Sequence, residues 1–144
     1  MSIEEFECDY VEGNLTQFKF SRKEKDKDRF IDPDSDYQSQ IQIKDKLGNQ
    51  IGYLMLNESD YGEDWDVINI LVIDIDKDKR GQGYGSDVIE SLTEWACGES
   101  YYAVDARSIR EDEWFKNRIS LFERLGFECD DKGGSWNCYY ECWG

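Results

Sequence analysis

Arg80-Gly81-Gln82-Gly83-Tyr84-Gly85-Ser86 carries more information than any other segment of this chain. It follows the apolar run Val67-Ile68-Asn69-Ile70-Leu71-Val72-Ile73-Asp74-Ile75 and opens the helical pattern Asp87-Val88-Ile89-Glu90-Ser91-Leu92-Thr93-Glu94-Trp95. A strand, a glycine-rich turn and a helix start, in that order, make a cradle for a phosphate group. The glycines let the backbone curl without Cβ clashes, so that consecutive N–H groups can point at one anion. The helix start adds free N–H donors and the positive end of its dipole. Arg80 adds a full charge at the rim, so an anionic cofactor is expected here.

Which anion depends on the residues around the glycines. A dinucleotide fingerprint G-x-G-x-x-G is met by Gly81 and Gly83, but its last position is Ser86. That reading also asks for an acidic residue about 20 positions on, and Asp105 after Tyr101-Tyr102-Ala103-Val104 would serve. Against it, Asp76-Lys77-Asp78-Lys79-Arg80 separates strand from glycines, and only one βαβ unit is visible. A Walker A loop is excluded, because no Gly-Lys-Ser/Thr follows.

The signature Q/R-x-x-G-x-G/A fits better, with Arg80, Gly83 and Gly85 at its fixed positions. This segment resembles the acetyl-CoA binding motif of the GNAT superfamily of N-acetyltransferases. Leu121-Phe122-Glu123-Arg124-Leu125-Gly126-Phe127-Glu128 is similar to that family's L-Y-E-K-L-G-F segment, and the resemblance spans roughly residues 65 to 128. It implies acetyl transfer from a CoA thioester to an amine, with pantetheine slotted between the splayed central strand and its neighbour. By position, Ile73 and Ile75 would offer main-chain contacts to pantetheine. Arg80, Gly81, Gln82, Gly83, Tyr84, Gly85 and Ser86 would hold the pyrophosphate.

At 144 residues the chain is expected to form one domain, residues 1–144, with a single core. Hydrophobic residues at 39% and aromatics at 15% suit a folded protein. No apolar run is long enough to span a membrane, and Met1-Ser2-Ile3-Glu4-Glu5-Phe6 lacks the features of a signal peptide. A cytoplasmic location is the expectation. Cys8, Cys97, Cys129, Cys138 and Cys142 include no C-x-x-C pair, and there is no histidine, so no metal site is expected. Five reduced thiols, mostly buried in strands, are expected instead.

Net charge is −16, from 33 acidic against 17 basic residues. Most acidic surfaces are solubilising. The same field also draws cationic partners such as polyamines, aminoglycosides or lysine-rich protein surfaces, and it disfavours direct binding to nucleic acid. A nucleic-acid mimic that fills a basic groove on another protein remains a third reading.

Along the chain, Phe6–Val11 and Leu15–Phe20 read as strands joined at Glu12-Gly13-Asn14. Residues 21 to 36 are polar or charged and read as a solvated loop. Ile41, Ile43 and Leu47 lead through Gly48-Asn49 to Ile51–Leu56, a second hairpin. Asn57–Asp64 reads as a polar turn before a central strand at 65–75. A helix follows over 84–97, then a strand at Tyr101–Ala106 and a helix at Glu111–Leu125, stopped by Gly126. Phe127–Cys129 and Trp136–Trp143 close the chain. Antiparallel strands followed by β-α-β-α-β predict an α+β fold with a mixed central sheet. The N-terminal helices usual in the GNAT fold are expected to be reduced or absent, leaving an open cleft.

The catalytic groups depart from the family pattern. The tyrosine that many members use as general acid falls at Phe122, its preceding asparagine at Phe115, and a base on the central strand at Asn69. Asp66 and Asp74 are candidate proton relays near the cleft, with Glu63 and Asp64 beside them. Tyr139 and Tyr140 on the last strand are candidate acids. Solvated aspartates and core aromatics are the commoner fates of such residues. Trp136, Tyr139, Tyr140 and Trp143 form an aromatic cluster that suits a cationic amine by cation–π attraction, or a homodimer interface. The leading expectation is an acetyl-CoA-dependent amine N-acetyltransferase acting on a cationic acceptor. The alternatives are a catalytically weak CoA-binding relative and an acidic interaction protein.

Overall fold

Eight strands build one mixed sheet: β1 (Glu7–Glu12), β2 (Thr16–Arg22), β3 (Gln40–Asp45), β4 (Gln50–Asp60), β5 (Asp66–Ile75), β6 (Ala103–Arg107), β7 (Glu128–Lys132) and β8 (Ser135–Glu141). The computed structural model describes residues 7–22, 40–60, 66–107, 119–132 and 135–143. The strand order is β1-β2-β3-β4-β5-β6-β8-β7. Every pairing is antiparallel except β5 with β6. A parallel pair needs a long crossover, and here helix α1 (Tyr84–Gly98) supplies it.

Side chains of directly opposed residues share a face of the sheet, so the register separates the two faces. Ile43 opposes Gly52, Ile41 opposes Leu54, Leu54 opposes Ile73, Leu56 opposes Ile70, and Ile68, Val104 and Tyr140 stand in one row. These residues, with Ile75 and Cys138, form the core with Val88, Ile89, Leu92 and Ala96 of α1. Phe122 of the short helix α2 (Ile119–Arg124) joins the same cluster. The opposite face carries Met55, Asn69, Val72, Asp74, Asp105 and Tyr139, among others.

The mixed α+β sheet and the two N-terminal hairpins match the sequence expectation. In the second hairpin Gly48 takes φ 89°, the left-handed conformation that a glycine tolerates without Cβ strain. Gly126 stops α2 at φ 94°, with Phe127 N–H returning to the Phe122 carbonyl at 3.0 Å. One correction concerns Asn57–Asp64. Asn57 to Asp60 continue β4, pairing with Asn69, Ile68, Val67 and Asp66 of β5, and residues 61–65 lie outside the described residues. Backbone pairing with a strong central strand outweighs the polarity of those side chains. In the expected loop at 21–36, Ser21 and Arg22 still belong to β2 and the rest lies outside the described residues, as does the 111–118 part of the second helix.

A second correction concerns the cysteines. Cys97 near the end of α1 is bridged to Cys142, and Cys129 of β7 to Cys138 of β8, so four of the five expected thiols are disulfides. The latter two are opposed partners in the β7–β8 ladder. No sequence spacing predicts such contacts, because both arise from how the sheet closes.

Candidate active site

The glycine segment folds as a cradle. A short 3-10 turn, Lys77–Lys79, leads out of β5 to Arg80. Gly81 takes φ 79° and Gly83 φ 89°, a region costly for any residue with a Cβ. A Cβ on Gly81 would meet nothing within 4 Å, so open space lies over the loop. Gly83 caps α1, and the first intrahelical bond runs from Asp87 N–H to the Gly83 carbonyl at 3.1 Å. The N–H groups of Tyr84, Gly85 and Ser86 therefore have no intrahelical acceptor. These features fit a phosphate ester.

Asp87, in the first turn of α1, would repel such an anion if it faced the loop. Its carboxylate is turned aside instead. It accepts from Asn14 N–H (2.8 Å), Leu15 N–H (3.0 Å), Thr16 N–H (2.9 Å) and the Thr16 hydroxyl (2.6 Å). The β1–β2 turn is thereby clamped onto the helix start. Gly13 is required there, since a Cβ would lie 2.2 Å from Asp87 Oδ2.

A wedge leads from the loop into the sheet. β5 pairs with β6 only from Val67–Ala103 to Ile70–Ala106, while β6 carries on along β8 through Arg107–Asn137. Beyond Ile70 the side of β5 that faced β6 has no strand beside it among the described residues. Met55 opposes Val72 but Leu56 opposes Ile70, so Leu71 is the extra residue of a bulge at the wedge apex. Asp76 N–H bonds the Ile51 carbonyl of β4. Because successive peptide groups alternate sides, those of Ile73 and Ile75 point into the wedge. Arg80 already uses one of them: its Nε donates to the Ile75 carbonyl at 2.8 Å.

The four candidate proton carriers occupy different places. Asp74 pairs with Arg80, whose Nη2 donates to Asp74 Oδ1 at 3.0 Å, with both side chains about two-fifths exposed. Asp66 starts β5, where its carbonyl accepts from Tyr102 N–H; it lies about 27 Å along the strand from Asp74 at 3.3–3.4 Å per residue. Tyr140 faces the core, with its ring centroid 5.4 Å from that of Phe127. Tyr139 lies on the opposite face, opposed to Asp105 of β6, which is itself opposed to Asn69 of β5. That row stands immediately below the wedge apex. Burial, first, and then its bond to Tyr102 and nearby Asp105 and Glu141 push the Tyr139 phenol well above its ordinary value. The Tyr102 hydroxyl donates to Glu141 Oε1 at 2.9 Å.

The family model described as acetyltransferase (GNAT) domain matches residues 38–129. The chain belongs to the GNAT acetyltransferase family. No curated protein matches it. Among solved structures it is similar to a spermidine N-acetyltransferase chimera from Vibrio cholerae and hSSAT, at 15% identity and TM-score 0.58, over 76% of this chain and 69% of that one. It is similar to Arabidopsis thaliana NAA60 in complex with acetyl-CoA, at 16% identity and TM-score 0.56, over 71% and 75%. A candidate acetyltransferase from Acinetobacter baylyi matches at 16% identity and TM-score 0.54 over 71% of this chain, which spans only 62% of that protein. At these identities the likeness shows the GNAT fold.

Within this GNAT fold Phe122 is 1% exposed and stacked edge-on against Phe127, so it is a core residue with no proton to give. The sequence reading missed Asp87 as the clamp and Asp105 as a buried carboxylate beside the wedge. A signal existed for the second: Asp105 sits between Val104 and Ala106, inside a short apolar strand.

Proposed function

We propose that this GNAT protein transfers the acetyl group of acetyl-CoA to a primary amine on a cationic acceptor. The observation that carries the proposal is the continuity of two features: the glycine cradle at Arg80–Ser86 opens directly onto the wedge between β5 and β6. In that reading Gly81 to Ser86 receive the pyrophosphate, Arg80 supplies charge, and the peptide groups of Ile73 and Ile75 hold the pantetheine arm. Acetyl-CoA would supply an activated thioester carbonyl. The chain's part is to orient it at the apex and to exclude water with the apolar side chains of Ile70 and Ile73.

A cationic acceptor is supported by the charge of −16 and by an aromatic and acidic patch. Trp143, 54% exposed, stands edge-on to Tyr102 at 5.3 Å, and Tyr102 is bonded to Glu141. Aromatic faces beside carboxylates attract ammonium groups. The name of the Vibrio cholerae relative gives spermidine, a polycation, as its acceptor.

The buried Phe122 favours a second reading, a CoA-binding GNAT protein without efficient transfer. Thermal unfolding with acetyl-CoA, followed by thiol release with spermidine or a lysine-bearing peptide, separates the two. Acetyl-CoA at 100 times its Kd adds about 2.7 kcal/mol of stability. A shift with thiol release supports transfer; a shift without it leaves only binding; no shift overturns both.

A further inference from the structure

We propose that Asp87 is a positioning residue of the cofactor site. By fastening the β1–β2 turn to the first turn of α1, it fixes the N–H groups of Tyr84, Gly85 and Ser86 for a diphosphate ester before one arrives. This role deepens the reading above and rests on acetyl-CoA binding at the glycine cradle. Helix ends fray because their first N–H groups lack intrahelical partners. An anion site built on a frayed turn must order that turn on binding, at a cost in affinity. Asp87 is anchored on every side. Its N–H donates to the Gly83 carbonyl at 3.1 Å, and its carbonyl accepts from the Ser91 hydroxyl at 2.7 Å. Its two carboxylate oxygens hold the N–H groups of Asn14, Leu15 and Thr16 and the Thr16 hydroxyl. The β1–β2 turn also meets the other end of the same helical turn, since Leu15 Cδ1 lies 3.6 Å from a Cβ built on Gly83. Leu15 is 42% exposed, so core packing does not account for its place, whereas Thr16 is fully buried.

Charge alone argues for a different residue at this position. A carboxylate in the first turn suits the helix dipole, but it repels a bound diphosphate. On charge alone, an uncharged residue at 87 tightens the binding of a polyanion. With Asp87 as a positioning residue, the same replacement loosens it. The two roles predict opposite signs, and salt separates them further, because screening weakens the first effect and leaves the second. The turn lies outside the segment 38–129 that matches the family model. The N-terminal hairpin is thus a working part of the cofactor site in this chain as well as an edge of the sheet.

The test measures the acetyl-CoA Kd by titration calorimetry at about 0.15 M salt, for the wild type, Asp87→Asn, Thr16→Val and Cys97→Ser. Asp87→Asn keeps the shape but sets an amide NH2 against N–H donors. It should raise Kd about tenfold, within the usual range of a coupling between sites. Thr16→Val keeps the charge, removes only the 2.6 Å hydroxyl bond, and should give a smaller rise. Cys97→Ser loosens the far end of α1 and should leave Kd unchanged, which separates positioning from a general loss of stability. In the wild type, acetyl-CoA should slow hydrogen exchange at the Asn14, Leu15 and Thr16 amides, because coupling is reciprocal. A Kd for Asp87→Asn equal to or below that of the wild type overturns the proposal, since only the charge effect then remains. So does an equal rise in Cys97→Ser, and so does exchange at those three amides that ignores the ligand. Should Asp87→Asn fail to fold, Thr16→Val and the wild-type exchange decide. A wild-type protein that binds no acetyl-CoA overturns the cofactor reading itself, and this role with it.

Discussion

Gly83 tests the cradle at the level of one residue. Its φ of 89° admits a side chain only with strain, and Gly83→Val should cost about 1–3 kcal/mol. The added side chain would also turn toward Leu15, whose Cδ1 lies 3.6 Å from a Cβ built there. Acetyl-CoA should then no longer raise the melting temperature; an unchanged shift would show that the cofactor lies elsewhere. Asp87 makes a different kind of prediction. Removing its carboxylate in Asp87→Ala leaves three backbone N–H groups and the Thr16 hydroxyl without their acceptor, at a cost of about 2 kcal/mol for bonds to a charged group. Denaturant melts would record that loss even without ligand. Of these residues only the glycines were legible in the sequence, because a left-handed turn has local chemistry. The partners of Asp87 come from the β1–β2 turn and the start of β2, 71 to 73 positions away in the chain, and no local pattern reveals them.

The elements were easier to read than their ends. β5 alternates with Ile68 and Ile70 inward, then with Ile73 and Ile75, and this phase slip is the written trace of the bulge at Leu71. The extra residue turns the strand where β6 leaves it, so one irregularity helps open the wedge. The extension of β4 to Asp60 was not legible, since Asn57-Glu58-Ser59-Asp60 has turn-like side chains and owes its strand to β5. The disulfides were equally hidden. Cys97–Cys142 ties α1 to the end of β8 across a separation of 45 residues, and loop entropy assigns such a link about 4 kcal/mol, with measured bridges often giving less. Cys97→Ser should therefore lower stability by about 2–4 kcal/mol. Calorimetry with and without reductant checks this: because reductant also opens Cys129–Cys138, the comparison is between reduced wild type and reduced variant, which should melt close together, while without reductant the wild type should melt higher. A wild-type protein indifferent to reductant would show that the bridge carries no stability.

At the scale of the whole molecule, the charge of −16 would act on the two substrates of the proposed transfer with opposite sign. Acetyl-CoA is a polyanion and would enter against this field, helped only locally by Arg80, the glycine loop and the start of α1. A polyamine or lysine side chain would enter with the field, toward the exposed Glu141. Salt screens both effects, since the Debye length falls from about 30 Å at 0.01 M to about 8 Å at 0.15 M. Raising the ionic strength should therefore raise KM for spermidine and lower KM for acetyl-CoA, with kcat almost constant. Steady-state rates over that range of sodium chloride decide the matter. Two KM values moving together would mean that the field steers neither substrate and that the acidic surface serves solubility alone. A protein acting purely as an acidic mimic would show no acetyl-CoA term at all, so the same titration also separates that reading from transfer.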